Sequence, residues 1–123
     1  MAIILIWGDQ HDSCMLTKRV LDIQNHTAAV FTASNEAIQW AEKHHPDLAI
    51  LDSREEFTAV GVLKTLKSFN PGMSIFMTTT DSPTSDHVRI IRKLGAEVFF
   101  SRPIAIDELE KRVITICSQA KWR

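Results

Sequence analysis

Five short apolar runs, each separated from the next by a segment with helical spacing, constrain the fold of this 123-residue chain more than any other feature. The runs are residues 2–7 (AIILIW), 28–32 (AAVFT), 48–52 (LAILD), 74–79 (SIFMTT) and 97–101 (EVFFS). They are continuous rather than alternating, as strands covered on both faces are. Between them, Leu16, Val20 and Ile23 share one face of 12–24, and Ile38 and Ala41 share one of 34–44. Leu63, Leu66 and Phe69 do so in 60–69, Val88 and Ile91 in 84–94, and Leu109, Val113 and Ile116 in 107–119. Ser34 reads as a helix N-cap, Pro46 as a helix stop, Asn70-Pro71-Gly72 as a turn and Gly95 as a helix C-cap. Strict alternation of this kind predicts an α/β protein, a parallel sheet with helices on both faces, in one domain over 1–123.

Composition narrows the function classes. A net charge of −1 gives no electrostatic reason to expect nucleic acid or an anionic membrane as a direct partner. The longest apolar run, residues 2–7, is far short of the roughly twenty residues a membrane span needs. It also lacks the basic start and small-residue cleavage site of a signal peptide, so a cytoplasmic location is expected. Cys14 and Cys117 have no metal-ligand spacing and read as reduced thiols. Histidines 11, 26, 44, 45 and 87 form no ligand pattern.

In an open parallel sheet, ligands bind outside the carboxyl ends of the strands, where strand order reverses. The residues expected there are Asp9 after the first strand, Asp52 closing the third, Thr79 and Thr80 closing the fourth, and Arg102-Pro103 after the fifth. Two acids, a hydroxyl and a permanent cation on one edge suit a divalent metal and a phosphoryl group. No GxGxxG or GxxxxGK[ST] is present, which weighs against a flavin- or nucleotide-binding protein of the same topology.

In this order and spacing the pieces resemble the response-regulator receiver domain of two-component signalling. They are GD after ILIW, HPDLAILD ending in Asp52, GVLKTLKSFNPGMSIFMTT ending in Thr79, and KLGAEVFFSRP ending in Arg102-Pro103, with 27 residues from Asp52 to Thr79 and 23 more to Arg102. The resemblance implies a flavodoxin-like (βα)5 sandwich with strand order 2-1-3-4-5, similar to chemotaxis regulators. It implies Asp52 as phosphoacceptor from a histidine kinase or phosphotransfer protein, in a chain that catalyses its own phosphoryl transfer and dephosphorylation. Asp9, Asp52 and the backbone carbonyl of Arg54 would hold Mg²⁺. Thr79 and Phe99 would form the switch, Arg102 would take the place of the usual lysine, and the Arg102-Pro103 bond would be cis. The helix 4–strand 5–helix 5 face would then bind a downstream protein or a second copy in a homodimer.

Four departures from the family pattern stand out. Gly8 occupies the place of the first of two consecutive acids, so Mg²⁺ binding should be weaker and Gly8→Asp should strengthen it. A shifted register, with Asp9 as first acid and Gln10 as second, conflicts with the gap-free match of the following helix. Arg102 is longer and forked where lysine is a point charge. The loop SREEFTAVG has Glu56 where proline is usual, and its glycine, Gly61, comes nine residues after Asp52 rather than eight. Arg54 flanks the acceptor, where it could pair with the phosphoryl group or with Glu55 and Glu56. These departures favour a second reading, a pseudo-receiver that binds proteins without phosphorylation, whereas the trio Asp9, Asp52 and Thr79 favours the switch. Asp9 also has an alternative role as a helix N-cap, though Asp12 or Ser13 could fill it.

Overall fold

The computed structural model describes residues 2–79, 85–101 and 104–119. Its elements run β1 (Ile3–Gly8), α1 (His11–Ile23), β2 (Thr27–Phe31), α2 (Ser34–His44), β3 (Leu48–Asp52), α3 (Glu56–Phe69), β4 (Ser74–Thr78), α4 (Asp86–Lys93), β5 (Val98–Phe100) and α5 (Ile106–Gln119). The strands form a parallel sheet in the order β2-β1-β3-β4-β5, as the resemblance implies. Strand order therefore reverses between β1 and β3, the place where such folds bind ligands.

Successive strand residues point to opposite faces, so each continuous apolar run feeds two cores. On one face, Leu5, Trp7, Ala49, Leu51, Ile75 and Met77 pack with Ala37 and Ala41 of α2, Leu63 and Leu66 of α3, and Ile91 of α4. On the other, Ile4, Ile6, Leu48, Ile50, Phe76 and Phe100 pack with Cys14 and Leu21 of α1 and with Leu109 and Val113 of α5. Burying each such Leu or Ile contributes about 2 kcal/mol. No helix among the described residues is long and apolar enough to cross a membrane.

The helical faces of α4 and α5 are those expected, whereas α1 is rotated. Its buried side chains are Cys14, Thr17, Val20 and Leu21, and both Leu16 and Ile23 are exposed. The small Cys14 and Thr17 let the helix lie close on the sheet, which turns the larger Leu16 outward. Helix α3 begins at Glu56, a full turn before the expected residue 60, and continues through Gly61. The expected caps also shift. Ala33 rather than Ser34 is the N-cap of α2, and Gln10 rather than Asp12 or Ser13 is that of α1, neither with a side-chain bond.

Two helix ends follow their sequence signals. His45 takes a left-handed conformation (φ 50°) to close α2, and Pro46 prevents continuation. Gly95, one residue beyond the α4 C-cap Leu94, has φ 121°, and a Cβ there would strike the aliphatic chain of Lys67. Lys67 is held in that position by donating its Nζ to the carbonyls of Pro71 and Met73.

Candidate functional site

Asp52 ends β3 at the carboxyl edge of the sheet, with β1 on one side and β4 on the other. Register pairs Gly8 with Asp52 directly, and pairs Leu51 with Met77, which brings Thr78 level with Asp52 on the same face. Asp52 is 8% exposed, and Thr78 Oγ1 donates to its Oδ1 at 3.0 Å. A buried acid is tolerated only with hydrogen-bond donors, and this hydroxyl is one of them.

Asp9 lies just beyond β1 and is exposed. Its Oδ2 accepts the backbone N–H of Arg54 at 3.1 Å, so Asp9 ties the β1–α1 turn to the loop after Asp52. Helix capping is not its role, because Gln10 stands between Asp9 and α1 as the N-cap. The loop itself is shaped by Ser53, a buried residue whose hydroxyl accepts the N–H of Glu55 at 3.0 Å. That turn starts α3 at once, in a loop that has Glu56 where the family usually has proline.

Gly8 has a physical explanation that sequence alone could not supply. A Cβ at this position would stand 2.4 Å from the carbonyl oxygen of Asp52 and 2.6 Å from Cys14 Sγ. The space an acid side chain would need is filled by main chain and by a fully buried thiol. In Gly8→Asp the added side chain must therefore displace Asp52 or Cys14 before its carboxylate can reach a metal. Burial, then the nearby charges of Asp52 and Asp9, push the Cys14 thiol up to about 12, so it stays protonated.

Thr79 lies one residue past β4 rather than in it, and is buried. Its N–H donates to the carbonyl of Phe100 at 2.9 Å, which couples this position to β5 through the main chain. Phe100 is core, whereas Phe99 is partly exposed toward α4, as strand alternation predicts, with the Arg92 guanidinium 5.0 Å from its ring centre. Arg92, Glu97, Val98, Phe99 and Arg112 line a cleft of about 250 Å³ on the α4–β5–α5 face. Thr80, Arg102 and Pro103, with the peptide bond between the last two, lie outside the described residues.

The sequence profile of the response regulator receiver domain matches residues 4–114. The chain belongs to the response-regulator receiver domain family. This receiver domain is 27% identical over 113 residues to the sporulation initiation phosphotransferase F of Bacillus subtilis, covering 89% of each chain. It is 24% identical over 108 residues to the transcriptional regulatory protein ZraR of Escherichia coli, where it spans 87% of this chain but only 24% of that protein's length. Among solved structures, a CheY-like receiver domain protein from Methanospirillum hungatei superposes with a TM-score of 0.86 at 18% identity, over 97% of this chain and 95% of that one. Chemotaxis protein CheY4 of Vibrio cholerae gives 0.83 at 19%, over 94% and 98%. These structural likenesses establish the fold.

The family implies Mg²⁺, and the donor set of this receiver suits it. Two carboxylates, Asp9 and Asp52, and the main-chain carbonyl of Arg54 are all hard oxygen donors, and Mg²⁺ commonly takes one or two carboxylates and keeps several waters.

The role of Thr78 was not legible in advance, since it was one of three consecutive threonines. Counting the parallel register from the ends of β3 and β4 could have found it. The sequence places Cys14 on a helix and no more. Its position beneath Gly8 depends on how closely α1 approaches the sheet.

Proposed function

We propose that this receiver is a phosphorylation-controlled switch in which Asp52 accepts a phosphoryl group from a histidine kinase or phosphotransfer protein. A carboxylate oxygen of Asp52 attacks phosphorus, the P–N bond of the donor phosphohistidine breaks, and the imidazole leaves with the electron pair. The product is an acyl phosphate on Asp52. When bound at Asp9, Asp52 and the Arg54 carbonyl, Mg²⁺ supplies neutralising charge that offsets repulsion between carboxylate and phosphoryl oxygens. Thr79 then turns its hydroxyl toward the phosphoryl group and Phe99 leaves Arg92 for the interior, which reshapes the α4–β5–α5 face for a downstream protein or a second copy. Modification biases an equilibrium between two packings.

The observation that supports this most is the convergence of Asp9, Asp52 and the Thr78-Thr79 pair at the switch point of the sheet. The match to a relative named a phosphotransferase agrees with it. Location in the cytoplasm, beside a kinase's phosphohistidine, is part of the same proposal. One observation favours the second reading, a pseudo-receiver: Gly8 is closed off by Asp52 and Cys14, which leaves the metal site an acid short.

The deciding experiment incubates the chain with millimolar Mg²⁺ and acetyl phosphate, or with beryllofluoride, beside Asp52→Asn. The switch reading expects one phosphoryl adduct by intact mass on the wild type and none on Asp52→Asn. It also expects a Mg²⁺-dependent change in the fluorescence of buried Trp7, two residues from Asp9. Absence of both establishes the pseudo-receiver.

A further inference from the structure

The two threonines at the end of β4 are held differently. Thr78 is the last strand residue, level with Asp52 on one side and paired with Phe100 of β5 on the other. Its backbone is therefore fixed from both neighbours, and a β-branched side chain on a strand has few χ1 options. Thr79 lies one residue beyond the strand, with its N–H donating to the carbonyl of Phe100. The hydroxyl of the strand residue Thr78 donates to Asp52 Oδ1 at 3.0 Å, with both residues buried.

A carboxyl group rotates softly about its Cβ–Cγ bond. A donor on a rigid strand fixes that rotation and so fixes the direction in which the carboxylate oxygens present their lone pairs. In-line attack on phosphorus depends steeply on such alignment. We infer that Thr78 is a positioning residue for the phosphoacceptor: its hydroxyl orients Asp52 before the phosphodonor arrives. This rests on the reading of Asp52 as phosphoacceptor and assigns a task distinct from that of Thr79. Thr78 itself forms no bond to phosphorus, and its proton stays on Oγ1 throughout.

The test compares Thr78→Val, which keeps the shape and removes the donor, with Thr78→Ser, which keeps the donor. Thr78→Ala repeats the test should the valine variant not fold. Adduct formation is followed by intact mass against acetyl phosphate concentration at saturating Mg²⁺. Thr78→Val is expected to lower the maximal rate roughly tenfold with an unchanged half-saturating donor concentration, and Thr78→Ser to recover most of it. In the metal-free protein, the Thr78 hydroxyl proton should exchange slowly with solvent by NMR and lose that protection in Asp52→Ala. Equal rates for wild type and Thr78→Val, a serine variant as slow as the valine one, or an unprotected hydroxyl proton would each overturn the inference alone. No adduct on the wild type would overturn it together with the phosphoacceptor reading.

Discussion

On the β1 side of Asp52 the neighbour is Gly8, packed against the Asp52 carbonyl and Cys14 Sγ with no room for a side chain. On the β4 side the neighbour is Thr78, whose hydroxyl is bonded to the carboxylate. One flank of the acid is sealed by main chain and a neutral thiol, and the other is polar. The lesson is that the missing acid at residue 8 is not simply a lost ligand. The space a side chain there would need is occupied by the Asp52 carbonyl and Cys14 Sγ, so the two flanks of the site are asymmetric.

The strongest way to break this comparison is to force a side chain into the sealed flank. Gly8→Asp should destabilise the fold by about 3 kcal/mol through overpacking beside the Asp52 carbonyl, measured by urea denaturation. Gly8→Ala should cost less, and combining it with Cys14→Ala should recover part of the loss but not all. The thiol can be removed in this way, but the backbone carbonyl cannot. A Gly8→Asp protein as stable as wild type would show that β1 and β3 can separate freely.

On the polar flank, Thr78→Val removes a donor from a buried carboxylate and should cost about 1.5 kcal/mol. In an Asp52→Asn background the same change should cost measurably less, because the acceptor is no longer charged. Identical costs in the two backgrounds would reduce Thr78 to a packing residue.

The smallest effect concerns the neutral thiol beneath Gly8. Folding holds the Cys14 proton up to about 12, against an ordinary value of 9.0 for the unfolded chain. Between those values the unfolded chain binds fewer protons than the folded one, so stability is fully present below pH 9 and falls as pH rises above it. From pH 9 to 10 the wild type should lose about 1 kcal/mol more than Cys14→Ala, by urea midpoints at each pH. Parallel curves would mean that the thiol ionises in place and that the flank is wetter than its packing indicates.

Much of the architecture was legible before any coordinate. Apolar runs such as AIILIW and LAILD are readable because a doubly covered strand must be hydrophobic on both sides, and that constraint is local. Asp9, Asp52 and Thr79 were legible as occupants of strand ends for the same reason. The start of helix α3 is hidden in the sequence because Glu55, Glu56 and Gly61 obscure its period, and its first turn follows from the Ser53 turn rather than from propensity. The sequence points to the wrong face of α1 because Leu16 is more apolar than Thr17, whereas burial is decided by how near the helix lies to the sheet. Phe99 and Phe100 could be told apart once strand alternation was applied.

The sequence by itself determined the alternation of strands and helices, the parallel sheet and the set of acids and hydroxyls brought to its carboxyl edge. Each of these depends on the order and hydrophobic pattern of neighbouring residues. Only the tertiary structure decided that the Thr78 hydroxyl donates to Asp52, that Asp9 holds the Arg54 amide, and that Gly8 is a close contact with Asp52 and Cys14. Those relations join residues far apart in the chain at distances of a few ångströms, and only the packing of strand against strand and helix against sheet sets them.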